Sequence, residues 1–144
     1  MKYELDHIGV AVRNLDESVQ FYQHILGGHL IDRYRSEAKG VESEIAIMEI
    51  NGDRTELLAP TNNTTSPIAR FIKQKGKGVH HIAYHVHELD EALETLQQQG
   101  IRTLEETLRT NKHGRRLIYL NPADTGGTII EYCDYPNMKK HARP

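Results

Sequence analysis

One cysteine, Cys133, is the only thiol in the 144-residue chain, so no disulfide can close within it, which fits a reducing compartment. Apolar runs stop at four or five residues, far short of the roughly 20 that a membrane-spanning helix needs. Neither sign of charge dominates: 18 Lys and Arg against 20 Asp and Glu leave a formal net charge of −2, without the basic excess that marks a nucleic-acid binder. The opening MKYELDH has no basic stretch followed by an apolar one and does not read as a secretory signal; a cytoplasmic protein is expected. The sequons in Asn62-Asn63-Thr64-Thr65 carry no meaning without secretion, low-complexity segments are absent, and the tail from Lys139 to Pro144 reads as frayed. The length suits one domain rather than a two-domain cofactor enzyme, and apolar residues, at 38%, suffice for one core. Histidine alone is in excess, with nine in the chain.

The histidines fall on an internal repeat. Residues 6–17, DHIGVAVRNLDE, and residues 80–91, HHIAYHVHELDE, share six identities in twelve positions at a constant offset of 74, among them His7 with His81 and Ile8 with Ile82. Each block is followed by an amphipathic helical pattern that ends at glycine. Each half closes on a short strand pattern carrying one acid, Glu56 in TELLAP and Glu131 in TIIEYCD, offset by 75. The chain therefore reads as α+β, two tandem βαβββ modules forming a concave mixed sheet around a metal site.

In module one, residues 4–60, alternation over 5–12 sets Ile8, Val10 and Val12 against His7, Gly9 and Ala11. A helix over 15–26 follows, with Asn14 as N-cap, Glu17 in capping-box position and Gly27-Gly28 as its stop. Leu15, Val19, Tyr22 and Leu26 mark its expected buried stripe, and strands near 29–35, 43–50 and 54–59 complete the module. A connector helix over 66–76 opens on Ser66-Pro67 and ends at Gly76. Module two, residues 78–135, repeats the order: a strand over 79–86, a helix over 89–99 with Leu89, Leu93 and Leu96 inward, and strands near 101–107, 115–121 and 127–133.

On both first strands the bulky aliphatics are expected to face the helix, leaving His7 and His81 beside small residues on the other side. Pairing of the modules about a pseudo-twofold axis would bring these two imidazoles together with Glu56 and Glu131. That mixed nitrogen and oxygen set suits one divalent ion, Zn, Co, Ni, Mn or Fe, with positions left for water or substrate. One such histidine or glutamate alone would be an ordinary half-buried polar residue; recurrence of the same types at the same places in both modules is what singles them out. The other seven histidines read as surface or cleft-lining, and Cys133 as an apolar filler.

The paired modules, His7 in DHIGVAV, Glu56 in ELLAP, His81 in GVHHIAYHV and Glu131 in GGTIIEY resemble the vicinal oxygen chelate superfamily, which includes glyoxalase I, over roughly residues 4–135. Within it, ELLAP leading to SPIARFIKQKGKGVHHIAYHV, the doubled His80-His81 and NPADTGGTIIEY look most like the methylmalonyl-CoA epimerases. The resemblance implies a metal-dependent isomerase that removes and returns the C2 proton of an acyl-CoA through an enolate. It places the metal ligands on His7, Glu56, His81 and Glu131. It also implies two catalytic acids bracketing the substrate carbon: Glu131 and, after Lys39-Gly40-Val41, Glu44 with Glu42 in reserve. Some epimerases carry glutamine where this chain has Glu56, the type that glyoxalase I uses, so a glyoxalase-type lyase acting on a thiol adduct stands as the alternative, and a non-catalytic binding protein of the same fold as a third. Arg70, Lys73, Lys75 and Lys77 are placed to meet a CoA tail, and a homodimer is expected.

Overall fold

The computed structural model describes residues 3–38, 41–61 and 66–137; the sequons at 62–65, the Lys39-Gly40 pair and the tail lie outside them. The described chain is mixed α+β, with eight strands and three α-helices. By backbone packing it divides into two units, His7–His80 and a second made of Met1–Asp6 with His81–Pro144. Strand β1 (Glu4–Ala11) crosses from one to the other.

The first unit holds most of β1, helix α1 (Leu15–His24), β2 (His29–Ser36), β3 (Ser43–Ile50), β4 (Asp53–Pro60) and helix α2 (Pro67–Lys75). Strands β2, β3 and β4 pair antiparallel in sequence, and β1 joins β4 in parallel, with Gly9 opposite Glu56. The second unit repeats this connectivity with β5 (Gly78–His85), helix α3 (Leu89–Gln98), β6 (Thr103–Thr110), β7 (Arg116–Leu120) and β8 (Ile130–Asp134). There β6, β7 and β8 pair antiparallel and β5 joins β8 in parallel, with Ala83 opposite Glu131. The tandem βαβββ order anticipated from the repeat is thus present in both halves.

Local chemistry explains the helix starts. The Asn14 side chain accepts a hydrogen bond from Glu17 N at 3.1 Å, and Ser66 Oγ accepts one from Ala69 N at 3.0 Å ahead of Pro67. Helix α3 is capped by Glu88, whose carboxylate accepts from Asp90 N and Glu91 N at 3.1 and 2.9 Å. Helix α1 ends at His24, two residues earlier than its pattern suggests, because the chain turns through Gly27 at φ 68 and Gly28 N returns to Tyr22 O at 2.8 Å. Leu26 consequently leaves the stripe and is exposed. Strand β8 begins at Ile130 rather than 127, since the 3-10 turn Pro122–Asp124 runs on into Gly126 and Gly127 at φ 73 and 94.

Two apolar layers flank the first unit's strands. Val10, Val12, Ala46, Met48, Leu57 and Ala59 pack against Leu15 and Val19 of α1. On the opposite face Ala11, Ile45, Ile47 and Leu58 pack against Ile68 and Ile72 of α2. In the second unit Val86 and Ile118, with Tyr132 alongside, meet Leu89 and Ala92 of α3. Period-2 alternation therefore assigns each strand residue to the helix face or to the face turned away from α1 or α3. Among the described residues no helix is long and apolar enough to cross a membrane.

Candidate functional site

In each unit, the face turned away from the α1 or α3 helix carries one histidine and one glutamate in the same register. His7 lies two residues before Gly9, the partner of Glu56; His81 lies two residues before Ala83, the partner of Glu131. The outcome is the same separation in both. His7 Nε2 stands 3.6 Å from Glu56 Oε2, and His81 Nε2 stands 3.6 Å from Glu131 Oε1. All four side chains are buried, His81 and Glu131 at 1% exposure each. Sequence duplication has become duplicated geometry.

Burying an acid and an imidazole costs several kcal/mol unless something compensates. A separation of 3.6 Å is longer than an N–H···O hydrogen bond. It is close to the roughly 3.2–3.5 Å that separates two ligands each about 2.1 Å from a shared ion at tetrahedral-like angles. Neutral imidazole with carboxylate is also the donor chemistry that first-row divalent ions accept. Each pair therefore fits metal ligation.

The residues around the pairs differ between the units. His81 packs on Tyr119 with the rings tilted 37° and their centroids 5.6 Å apart, and the Arg109 guanidinium sits 5.9 Å from the Tyr119 ring. Arg115, at the lip of β7, brings Nε to 3.6 Å from Glu131 Oε2 and Nη1 to 3.7 Å from Asp6 Oδ2. Tyr135 Oη donates to Asp6 Oδ1 at 2.8 Å, and burial, with the Asp6 charge adding to it, pushes the phenol well above its ordinary range. His85 closes this side, edge-on to Tyr135 at 5.1 Å. The sequence reading missed Arg115, Asp6 and Tyr135. A signal existed in Arg115-Arg116 before Leu117-Ile118-Tyr119, since alternation must send one of two adjacent arginines to each face.

His80, beside His81 in the chain, belongs to a different environment. Its ring meets Phe71 of α2 edge-on at 4.7 Å, and burial lowers its pKa to about 4 against the opposing pull of Glu56. Glu44 is set apart from Glu56. It alternates with Ala46 and Met48 toward α1, whereas Ile47 lies opposite Glu56 on the other face. Glu42 precedes β3 at φ 28, outside that alternation, and its carbonyl is held by Thr61 N and Oγ1 at 3.4 and 3.0 Å. Cys133 is buried on the Glu131 face, its thiol donating to Tyr84 O at 3.7 Å.

The chain belongs to the Glyoxalase/Bleomycin resistance protein/Dioxygenase superfamily, whose family profile matches residues 6–119. It is 30% identical over 137 residues to the uncharacterized protein YqjC of Bacillus subtilis (strain 168), covering 95% of each chain. It is 34% identical over 128 residues to the mitochondrial methylmalonyl-CoA epimerase of Homo sapiens, covering 88% of this chain and 71% of that one. Among solved structures, a variant of the Streptomyces coelicolor methylmalonyl-CoA epimerase in complex with 2-nitronate-propionyl-CoA superposes with a TM-score of 0.85 at 28% identity, over 95% of this chain and 97% of that one.

Proposed function

We propose that the protein is a divalent-metal-dependent epimerase of methylmalonyl-CoA, with His7, Glu56, His81 and Glu131 as the metal ligands. The observation that carries this reading is the identical His-to-Glu register and 3.6 Å separation in the two units, supported by similarity to epimerases over most of the chain. A divalent ion bound by these residues would act as a Lewis acid toward the thioester oxygen and orient the free carboxylate, lowering the cost of negative charge in an enolate. Glu131 takes the C2 proton; a second acid returns one to the opposite face. Glu42, which precedes β3 outside its alternation, is preferred for that second role to Glu44, whose strand face packs on α1. Exposed Lys73, Lys75 and Lys77, with Arg70 of α2, supply positive charge for the CoA phosphates.

The decisive experiment incubates the protein with a divalent ion and one epimer of methylmalonyl-CoA in deuterated water. Deuterium is expected at C2 together with the other epimer; no exchange with any of Co, Zn, Ni, Mn or Fe sinks the reading. The glyoxalase-type alternative rests on Glu56 completing a His-Glu-His-Glu set, and consumption of a methylglyoxal–thiol hemithioacetal would favour it instead.

Two further outcomes follow. His81→Ala is expected to cut bound metal per chain, measured by elemental analysis, to a small fraction of its wild-type value, whereas His80→Ala leaves it near normal because that ring packs on Phe71. The reverse pattern would overturn the ligand register. Glu44→Gln is expected to keep exchange within about threefold of wild type, as a substitution remote from the reacting atoms does, and a loss of a hundredfold would restore Glu44 as the second acid.

A further inference from the structure

We propose that Arg115, itself held by Asp6 and Tyr135, is a positioning residue that fixes which oxygen of Glu131 is available for chemistry. This rests on the epimerase reading and adds to it a residue that similarity to the epimerases did not supply. The two carboxylate oxygens of Glu131 are divided between partners: Oε1 faces His81 and Oε2 faces Arg115, each at 3.6 Å. One edge of the guanidinium serves Glu131 through Nε while Nη1 reaches Asp6, and Tyr135 donates to the other oxygen of Asp6 at 2.8 Å. The side chains of Arg115, Asp6 and Glu131 are 9%, 2% and 1% exposed. At such burial these charges are screened little by water and the planar fork sets the spacing between the two acids.

The other unit shows that this is not a general requirement of the fold. Four residues along β3 from Ile47, the partner of Glu56, stands Ser43; four along β7 from Tyr119, the partner of Glu131, stands Arg115. Ser43 is buried and its hydroxyl turns to Val41 O. Matching registers thus carry a small neutral residue in one half and a buried cation in the other. Glu56 needs only to ligate, whereas Glu131 has to present one oxygen in a fixed direction while acting on a proton. With Oε2 turned to the Arg115 charge at 3.6 Å, Glu131 offers a bound ion or substrate Oε1.

The test compares wild type with Arg115→Met, Arg115→Lys and Tyr135→Phe. It measures C2 exchange kinetics, the visible spectrum of the Co(II)-loaded proteins and thermal midpoints. Arg115→Met is expected to lower kcat about 10- to 100-fold, the scale set by a small misplacement of a reacting group, with KM within twofold. Its Co(II) spectrum is expected to change, because Glu131 can then turn both oxygens to the ion. Arg115→Lys keeps the charge without the fork and is expected to fall between the two, and Tyr135→Phe to lose about threefold with a smaller spectral change. A folded Arg115→Met with wild-type kcat and an unchanged spectrum overturns the proposal, as does a loss of activity that merely follows the unfolded fraction. Should Arg115→Met not fold, wild-type kcat and spectrum in Tyr135→Phe overturn it. If the wild type binds Co(II) but exchanges nothing, the epimerase reading falls, and the spectra of the variants still decide the role of Arg115.

Discussion

Glu131→Gln is expected to reduce deuterium incorporation at C2 by at least about a thousandfold, the cost of removing a catalytic base together with its charge. The substitution is isosteric, so the β8 backbone, its pairing with Tyr119 and the packing of Cys133 beyond it have no reason to move. An amide oxygen can still contact an ion or the Arg115 guanidinium, but an amide cannot accept a proton from carbon at neutral pH. Metal content is therefore expected to fall much less than turnover. Glu56→Gln provides the contrast. If Glu56 serves only as a ligand, an amide oxygen substitutes for it, and exchange should drop by less than about tenfold. Exchange rates measured side by side in deuterated water, with thermal midpoints showing both variants folded, check the pair. Equal losses in the two variants would mean that Glu131 is only a ligand, and retention of exchange in Glu131→Gln would remove it from the chemistry altogether.

Such a contrast can be drawn because the repeat is legible in the sequence alone. Six identities in twelve positions and the recurring acid located two βαβββ modules, and strand alternation correctly separated His7, Gly9 and Ala11 from the aliphatics that pack on α1. What escaped the sequence was set by contacts distant along the chain or by turn geometry. The face occupied by Glu44 is known only once Ala46 and Met48 are seen against Leu15 and Val19. Arg115 lies 109 positions from Asp6, by subtraction of their numbers, and no local pattern links them. The late start of β8 follows from two glycines at positive φ, which a count of apolar residues does not register. Cap chemistry fared better because it is local: Asn14 and Ser66 perform the roles that their types and following residues imply.

The largest expected stability effect lies on the α3 side of the second unit. Alternation sends Arg116 to the α3 side while Arg115 turns to Glu131. There Asp134, 2% exposed, receives Arg116 Nε at 2.9 Å and Nη2 at 2.6 Å, and accepts Leu89 N at 2.8 Å from the first turn of α3. One carboxylate thus ties β7, β8 and the start of α3 together, and Arg116 reaches on to Glu88 and Asp90. Those outer contacts are solvent-exposed and contribute little. Removing Asp134 leaves a partly buried guanidinium and a helix N–H without their acceptor, a loss of about 3 kcal/mol. For a chain of this size that corresponds to a fall of roughly 10 °C in thermal midpoint. Asp134→Ala is accordingly expected to unfold well below wild type, and Asp134→Asn, which can still accept from Leu89 N, to lie in between. In the double variant Asp134→Ala with Arg116→Met the penalty is expected to be smaller than the sum of the singles, because the stranded charge is gone. Additive losses in calorimetry would show that Asp134 acts through the helix N–H alone. Among molecules that remain folded, C2 exchange by Asp134→Asn is expected to match wild type, since alternation along β8 sets Asp134 on the face opposite Glu131.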